Sequence, residues 1–125
     1  MNPIYRPGTL VCATYKEFDG KQQPGVFVIL YDEALDSNHR FKDNVVALKC
    51  TTSMSIVGNY TVTLTDGNNP TIERPTIASC SKPITLKKSN IFKVICTLHP
   101  VTYRTVYKTY KKFAGEIDRQ MEDYL

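Results

Sequence analysis

Hydrophobic residues in this chain come in short blocks, separated by polar stretches that carry most of the glycine and proline. Thr9 to Tyr15 (TLVCATY), Val26 to Tyr31 (VFVILY), Tyr60 to Leu64 (YTVTL), Pro75 to Cys80 (PTIASC) and Ile91 to Leu98 (IFKVICTL) are rich in β-branched residues and read as strands. The block from Asp43 to Ser53 (DNVVALKCTTS) differs in kind. Its apolar run, Asn44 to Cys50, is bounded by polar signals on both sides, so it reads as a strand covered on both faces in the middle of a sheet. Ile84-Thr85-Leu86 is a separate short piece. Lys16 to Gly25 (KEFDGKQQPG) predicts a loop or long hairpin, and Asp66 to Pro70 (DGNNP) a turn. Asp32 to Asp43 is a polar excursion with a short helical turn around Glu33-Ala34-Leu35, and Asp19, Asp32, Glu33 and Asp36 read as a solvated loop edge.

The pattern changes after Pro100. Tyr103, Val106, Tyr107, Tyr110, Phe113, Ala114, Ile117, Met121 and Leu125 recur every three or four residues, which predicts a helix over about 100–124 with an apolar face against the sheet. Pro100 suits a first helical position, with His99 or Thr97 near the cap. Strands lying within residues 9–98, followed by one long helix, predict a mainly β (α+β) fold. The expected form is a small, strongly bent antiparallel sheet or partly closed barrel, with the helix packed on it and one domain spanning 1–125.

Composition narrows the function classes. At 125 residues a single core suffices without staples, and no apolar run approaches the length of a membrane span. Nothing resembles an export signal, so a cytoplasmic location and no membrane partner are expected. Cys12, Cys50, Cys80 and Cys96 lack zinc spacing, and only His39 and His99 could join them, so no metal or cofactor is expected. The thiols read as reduced core residues, Cys80 being the one expected nearest the surface. A net charge of +4 permits a nucleic-acid partner without demanding one. Its distribution is more telling: Lys82, Lys87, Lys88 and Lys93 form one cluster, and Arg104, Lys108, Lys111 and Lys112 another. Thr51, Thr52 and Ser53 emerge where the central strand ends. Such hydroxyls suit donation to a phosphate or a developing oxyanion, or the capping of a turn.

Several features in fixed order resemble the PemK/MazF family of toxin endoribonucleases over nearly the whole chain. They are a Gly-led first strand (Gly8 to Tyr15) and a loop ending in Gly20-Lys21-Gln22-Gln23-Pro24 before VFVIL. There follow the buried strand closing on Cys50-Thr51-Thr52-Ser53, the segment Thr76 to Leu86 (TIASCSKPITL), and Cys96-Thr97-Leu98-His99-Pro100 before the helix. The resemblance implies an SH3-like barrel, usually a homodimer, binding single-stranded RNA in a groove. It implies metal-independent cleavage, in which a ribose 2′-hydroxyl attacks the adjacent phosphate to leave a cyclic phosphate and a 5′-hydroxyl. It also implies an antitoxin that fills the groove.

The family's arginine before the loop proline and its threonine after the buried strand carry that chemistry. Thr51 matches the threonine, whereas Gln23 stands at the arginine position, and Ser79 and Cys80 replace an acidic–amide pair. A glutamine amide carries no charge and offers no bidentate compensation to phosphate. Lys21 and Arg74 are the nearby cations that remain. The candidate catalytic set is therefore Thr51, Lys21 and Gln23, and the candidate RNA-binding set is Thr52, Ser53, Lys82, Lys87 and Lys88. Three readings stay open: an RNA-cleaving toxin, a non-catalytic module that binds RNA or a host protein in the same groove, and an interaction protein whose barrel resembles the family by convergence.

Overall fold

The computed structural model describes residues 3–16, 19–35, 43–64 and 75–125. Among these residues six strands precede one long helix: β1 (Thr9–Lys16), β2 (Gln22–Asp32), β3 (Asn44–Thr51), β4 (Thr61–Leu64), β5 (Thr76–Lys87), β6 (Ile91–Thr97) and α1 (Pro100–Glu122). They form one antiparallel sheet in the order β4-β5-β3-β2-β1-β6, so the strand read as central does lie between two neighbours. A 3-10 turn at Glu33–Leu35 stands where the sequence predicts one.

Alternation along β3 sends its side chains into two apolar layers. Leu48 and Cys50 join Leu10, Val28, Leu30, Leu64, Ala78 and Val106 in one core, against which Tyr103 and Tyr110 of α1 pack. Val45 and Ala47 join Val11, Ala13, Phe27, Ile29 and Leu86 in the other, rimmed by Tyr5, Tyr15, Ile84 and Ile91. The helix thus covers one face of the sheet, seated on β4 and β5. The sheet is bent by register shifts between β1 and β6, β2 and β3, and β3 and β5.

Several expectations need correction. The segment read as two pieces, Pro75 to Cys80 and Ile84 to Leu86, is the single strand β5. Its register against β3 jumps from Leu48↔Pro83 to Cys50↔Ala78, and Cys80 N–H bonds instead to the Tyr60 carbonyl. A bulge therefore absorbs the Ser-Lys-Pro sequence that looks like a break. The stretch Lys16 to Gly25, by contrast, is the long hairpin that its composition allows: Lys16↔Gln22 through Ala13↔Gly25 are paired. Pro24 is tolerated there because the β3 ladder on its other side begins only at Val26. Cys80 is fully buried, not near the surface. Asp32 is buried as well, and does not belong to a solvated edge. The apolar stripe of α1 is only partly covered, since Tyr107, Ile117 and Met121 are exposed, and Leu125 lies beyond the end of the helix. The expected turn at 66–70, together with Asp36, His39 and Arg74, lies outside the described residues.

Candidate nucleic-acid cleft

The second apolar layer does not run the full length of the sheet. On β3 the row that begins with Val45 and Ala47 continues, two residues at a time, to Lys49 and Thr51. At that end lies a cleft of about 1190 Å³. Tyr15 and Lys16 of β1, Gln22 of β2, Lys49 and Thr51 of β3, and Ser79, Lys82, Ile84 and Lys87 of β5 line it, together with Ile56 and Asn90. Four lysines face this space and no aspartate or glutamate does, among the described residues. Such a wall raises the local concentration of anions.

The lysines differ in how they are held. Lys16, Lys82 and Lys87 are exposed, whereas Lys49 is half-buried. The Lys49 ammonium donates a hydrogen bond to Tyr15 Oη. Nζ lies 4.6 Å from the Tyr15 ring centroid, toward its hydroxyl end, so the hydrogen bond is the principal contact. Tyr15 is itself fixed edge-to-face on the buried Phe27, with centroids 5.4 Å apart and planes at 82°. The ring crosses β2 over Gly25: a β-carbon there would sit 3.0 Å from Tyr15 Cε1 and 3.1 Å from Phe27 Cε2. The glycine keeps the lane open through which a β1 side chain reaches β3.

Thr51 combines both roles open to it. Its Oγ1 accepts from the Ser53 amide at 3.2 Å, capping the turn after β3, while the residue lines the cleft. Thr52 and Ser53 are exposed outside the lining, and Ser53 Oγ is 2.8 Å from Ser55 Oγ. Lys21 is also exposed outside it, its backbone N–H bonded to Asp19 Oδ1 at 3.0 Å. Gln23 pairs across the ladder with Tyr15 but does not line the cleft. Lys21, Gln23 and Thr51 are therefore not gathered in one pocket. Lys82 and Lys87 do face the cleft.

Lys88 has to be removed from that set. Its ammonium is buried, 2.8 Å from Asp32 Oδ2 and 2.8 Å from the Pro3 carbonyl oxygen to which it donates. A cation spent on an interior carboxylate has no charge to offer a phosphate. Cys50 contributes no nucleophile either, because burial pushes its thiol up to about 12. Burial likewise raises Cys80 to about 11. His99 caps the helix as expected, its Nδ1 accepting from Val101 N–H at 3.2 Å. No three of His, Cys, Asp and Glu are grouped to hold a metal among the described residues, and no helix is long and apolar enough to cross a membrane.

Sequence reasoning missed Tyr15, Lys16, Gln22 and Lys49. The one available signal is Lys49 itself, a charge inside an otherwise buried strand and two residues from Thr51. No protein-family model matches this sequence, and no curated protein matches it. Solved structures do. An endoribonuclease from a mycobacterial species superposes with a TM-score of 0.68 at 15% identity, covering 92% of this chain and 95% of that one. A mycobacterial endoribonuclease in complex with its cognate antitoxin gives 0.64 at 16% identity, covering 90% and 95%. The Mycobacterium tuberculosis toxin MazF-mt6 gives 0.63 at 16% identity, covering 88% and 97%. At such identities the likeness speaks to architecture, and the architecture is plain: this chain has the MazF/PemK-like toxin fold.

Proposed function

We propose that this chain is a toxin of the toxin–antitoxin kind that cuts single-stranded RNA without a metal ion, using the cleft between β1, β3 and β5. The observation that carries this reading is the cleft wall, which among the described residues sets four lysines and no carboxylate around Thr51 at the end of a central strand. Lysines on such a wall contact phosphates, and the mixed apolar and hydroxyl lining accommodates unpaired bases. In the reaction a 2′-hydroxyl attacks the adjacent phosphorus and gives up its proton to water, the bond to the 5′-oxygen breaks, that oxygen takes a proton from water and leaves as a 5′-hydroxyl, and a 2′,3′-cyclic phosphate remains. Thr51 Oγ1 accepts from Ser53 N–H, so its own hydrogen is available to donate to a non-bridging phosphate oxygen. The cleft is also where an antitoxin would compete with RNA. A second copy of the chain would cover the edge strand β6, which exposes Phe92 and Val94. The cytoplasm is where this substrate is found.

The test is incubation of the protein with a long mixed-sequence RNA in EDTA, beside Thr51→Ala. Cuts that end in a cyclic phosphate and weaken in the variant are expected. One observation favours a second reading, binding without cleavage: Lys21 and Gln23 stand outside the cleft. RNA that is bound but left intact would establish that alternative.

A further inference from the structure

We infer that Lys49 is the cation that compensates the phosphate's charge in the transition state, and that Tyr15 is the residue that positions it. The inference rests on the RNA-cleaving reading above and adds residues to its site. Three observations carry it. Lys49 and Thr51 are alternate residues on one face of β3, roughly 6.6 Å apart at their α-carbons, so one phosphate group can lie between their tips. Lys49 is also the half-buried member of the four cleft lysines. Finally, its ammonium is held by Tyr15 Oη, on a ring locked against Phe27 and laid over Gly25.

Position decides what a cation can do for the reaction. A flexible exposed lysine follows the phosphate in the ground state and the transition state alike, which lowers KM and leaves the chemical step unchanged. A partly desolvated ammonium fixed in place meets the extra negative charge of the phosphorane with no reorganisation, and there each donor is worth more than in water. Lys16, Lys82 and Lys87 have the first character and Lys49 the second. No proton need pass through Lys49 or Tyr15 for this role: the ammonium stays an ammonium and the phenol stays an acceptor.

The experiment measures cleavage of a mixed-sequence single-stranded RNA under saturating enzyme, together with binding of a 2′-deoxy-substituted, uncleavable form of the same strand. Lys49→Met is expected to slow cleavage about 10²-fold or more, the loss typical of one oxyanion donor, with uncleavable RNA bound within about threefold of wild type. Lys49→Arg should restore much of the rate, since it returns the cation. Tyr15→Phe keeps the ring and removes the acceptor, and should slow cleavage about tenfold with thermal unfolding little changed. If Lys49→Met fails to fold, Lys49→Arg and Tyr15→Phe decide the matter alone. Wild-type rates in Lys49→Met, or in Tyr15→Phe, would overturn the inference. So would equal losses of binding and rate, which would make Lys49 an ordinary phosphate contact. A wild-type protein that leaves RNA intact would instead sink the cleavage reading, and this inference with it.

Discussion

Asp32 and Lys88 form an ion pair in the interior, 2.8 Å between Oδ2 and Nζ, with side chains 0% and 2% exposed. Asp32 also accepts from the backbone N–H groups of Tyr5 and Ala34, and Lys88 also donates to the Pro3 carbonyl. The pair therefore ties the N-terminal segment, the end of β2 and the turn after β5 together. Removing one partner leaves a charge with nothing to offset its desolvation. Lys88→Met or Asp32→Leu should each cost about 3–5 kcal/mol of stability, read by urea unfolding. The double variant should recover part of that loss. A Lys88 variant of unchanged stability but weakened RNA binding would show that its charge reaches solvent after all.

The exposed cleft lysines should behave in the opposite way. Lys16→Ala, Lys82→Ala and Lys87→Ala touch no packed core, so unfolding should move by less than about 0.5 kcal/mol. Each should weaken RNA binding across sequences and flatten the plot of log affinity against log salt by about 0.7 for every phosphate that the protein no longer neutralises. Titrations at several salt concentrations check this. A slope unchanged in all three would place RNA elsewhere.

Alkali should destabilise the fold through two buried thiols. Burial raises Cys50 from 9.0 to about 12 and Cys80 from 9.0 to about 11. Above pH 9 these thiols ionise in the unfolded chain and stay protonated in the folded one, so stability is intact below that pH and falls as pH rises toward the folded values. A fully buried thiol contributes a slope of up to about 1.4 kcal/mol per pH unit there. Denaturant midpoints measured between pH 8 and 11 should fall, and Cys50→Ala should flatten the fall. Midpoints that stay level would mean that both thiols ionise in place.

Gly8 occupies φ +89°, a left-handed conformation, and a β-carbon there would lie 3.1 Å from Tyr103 Cδ1. Its amide bonds to the Ile29 carbonyl at 2.7 Å and its carbonyl accepts from Leu98 at 2.9 Å, so neither backbone nor ring can easily move aside. Tyr103 is held in turn by its hydroxyl, which donates to the Leu30 carbonyl at 2.7 Å. Gly8→Ala should cost about 2 kcal/mol or more from strain and contact together, seen as a lower thermal midpoint with the circular dichroism spectrum kept. Tyr103→Phe should cost about 1 kcal/mol.

Particular elements show how far the sequence could be read. The terminal helix was visible down to its capping histidine, because 3.6-residue periodicity and N-terminal capping are local properties. The central strand was visible because burial on both faces leaves an unbroken apolar run. The two parts of β5 looked separate because Ser81-Lys82-Pro83 carries the signature of a break. That signature is cancelled only by a bulge against β3, which no local pattern records.

The candidate site divides along the same line. The hydroxyls Thr51, Thr52 and Ser53 could be placed from the chain alone, since they follow from where a strand ends, and the family resemblance singled out Thr51 among them. Lys88 was misplaced and Lys49 passed over, because a lysine's character depends on what the sheet sets beside it. Asp32 consumes one charge in the interior, while Tyr15, lying across Gly25, aims the other into the cleft. The sequence by itself determined the terminal helix, the central strand and the fold class through periodicity and turn chemistry. Tertiary structure alone decided which lysines are buried, paired or presented, because those outcomes depend on strand register between residues far apart in the chain.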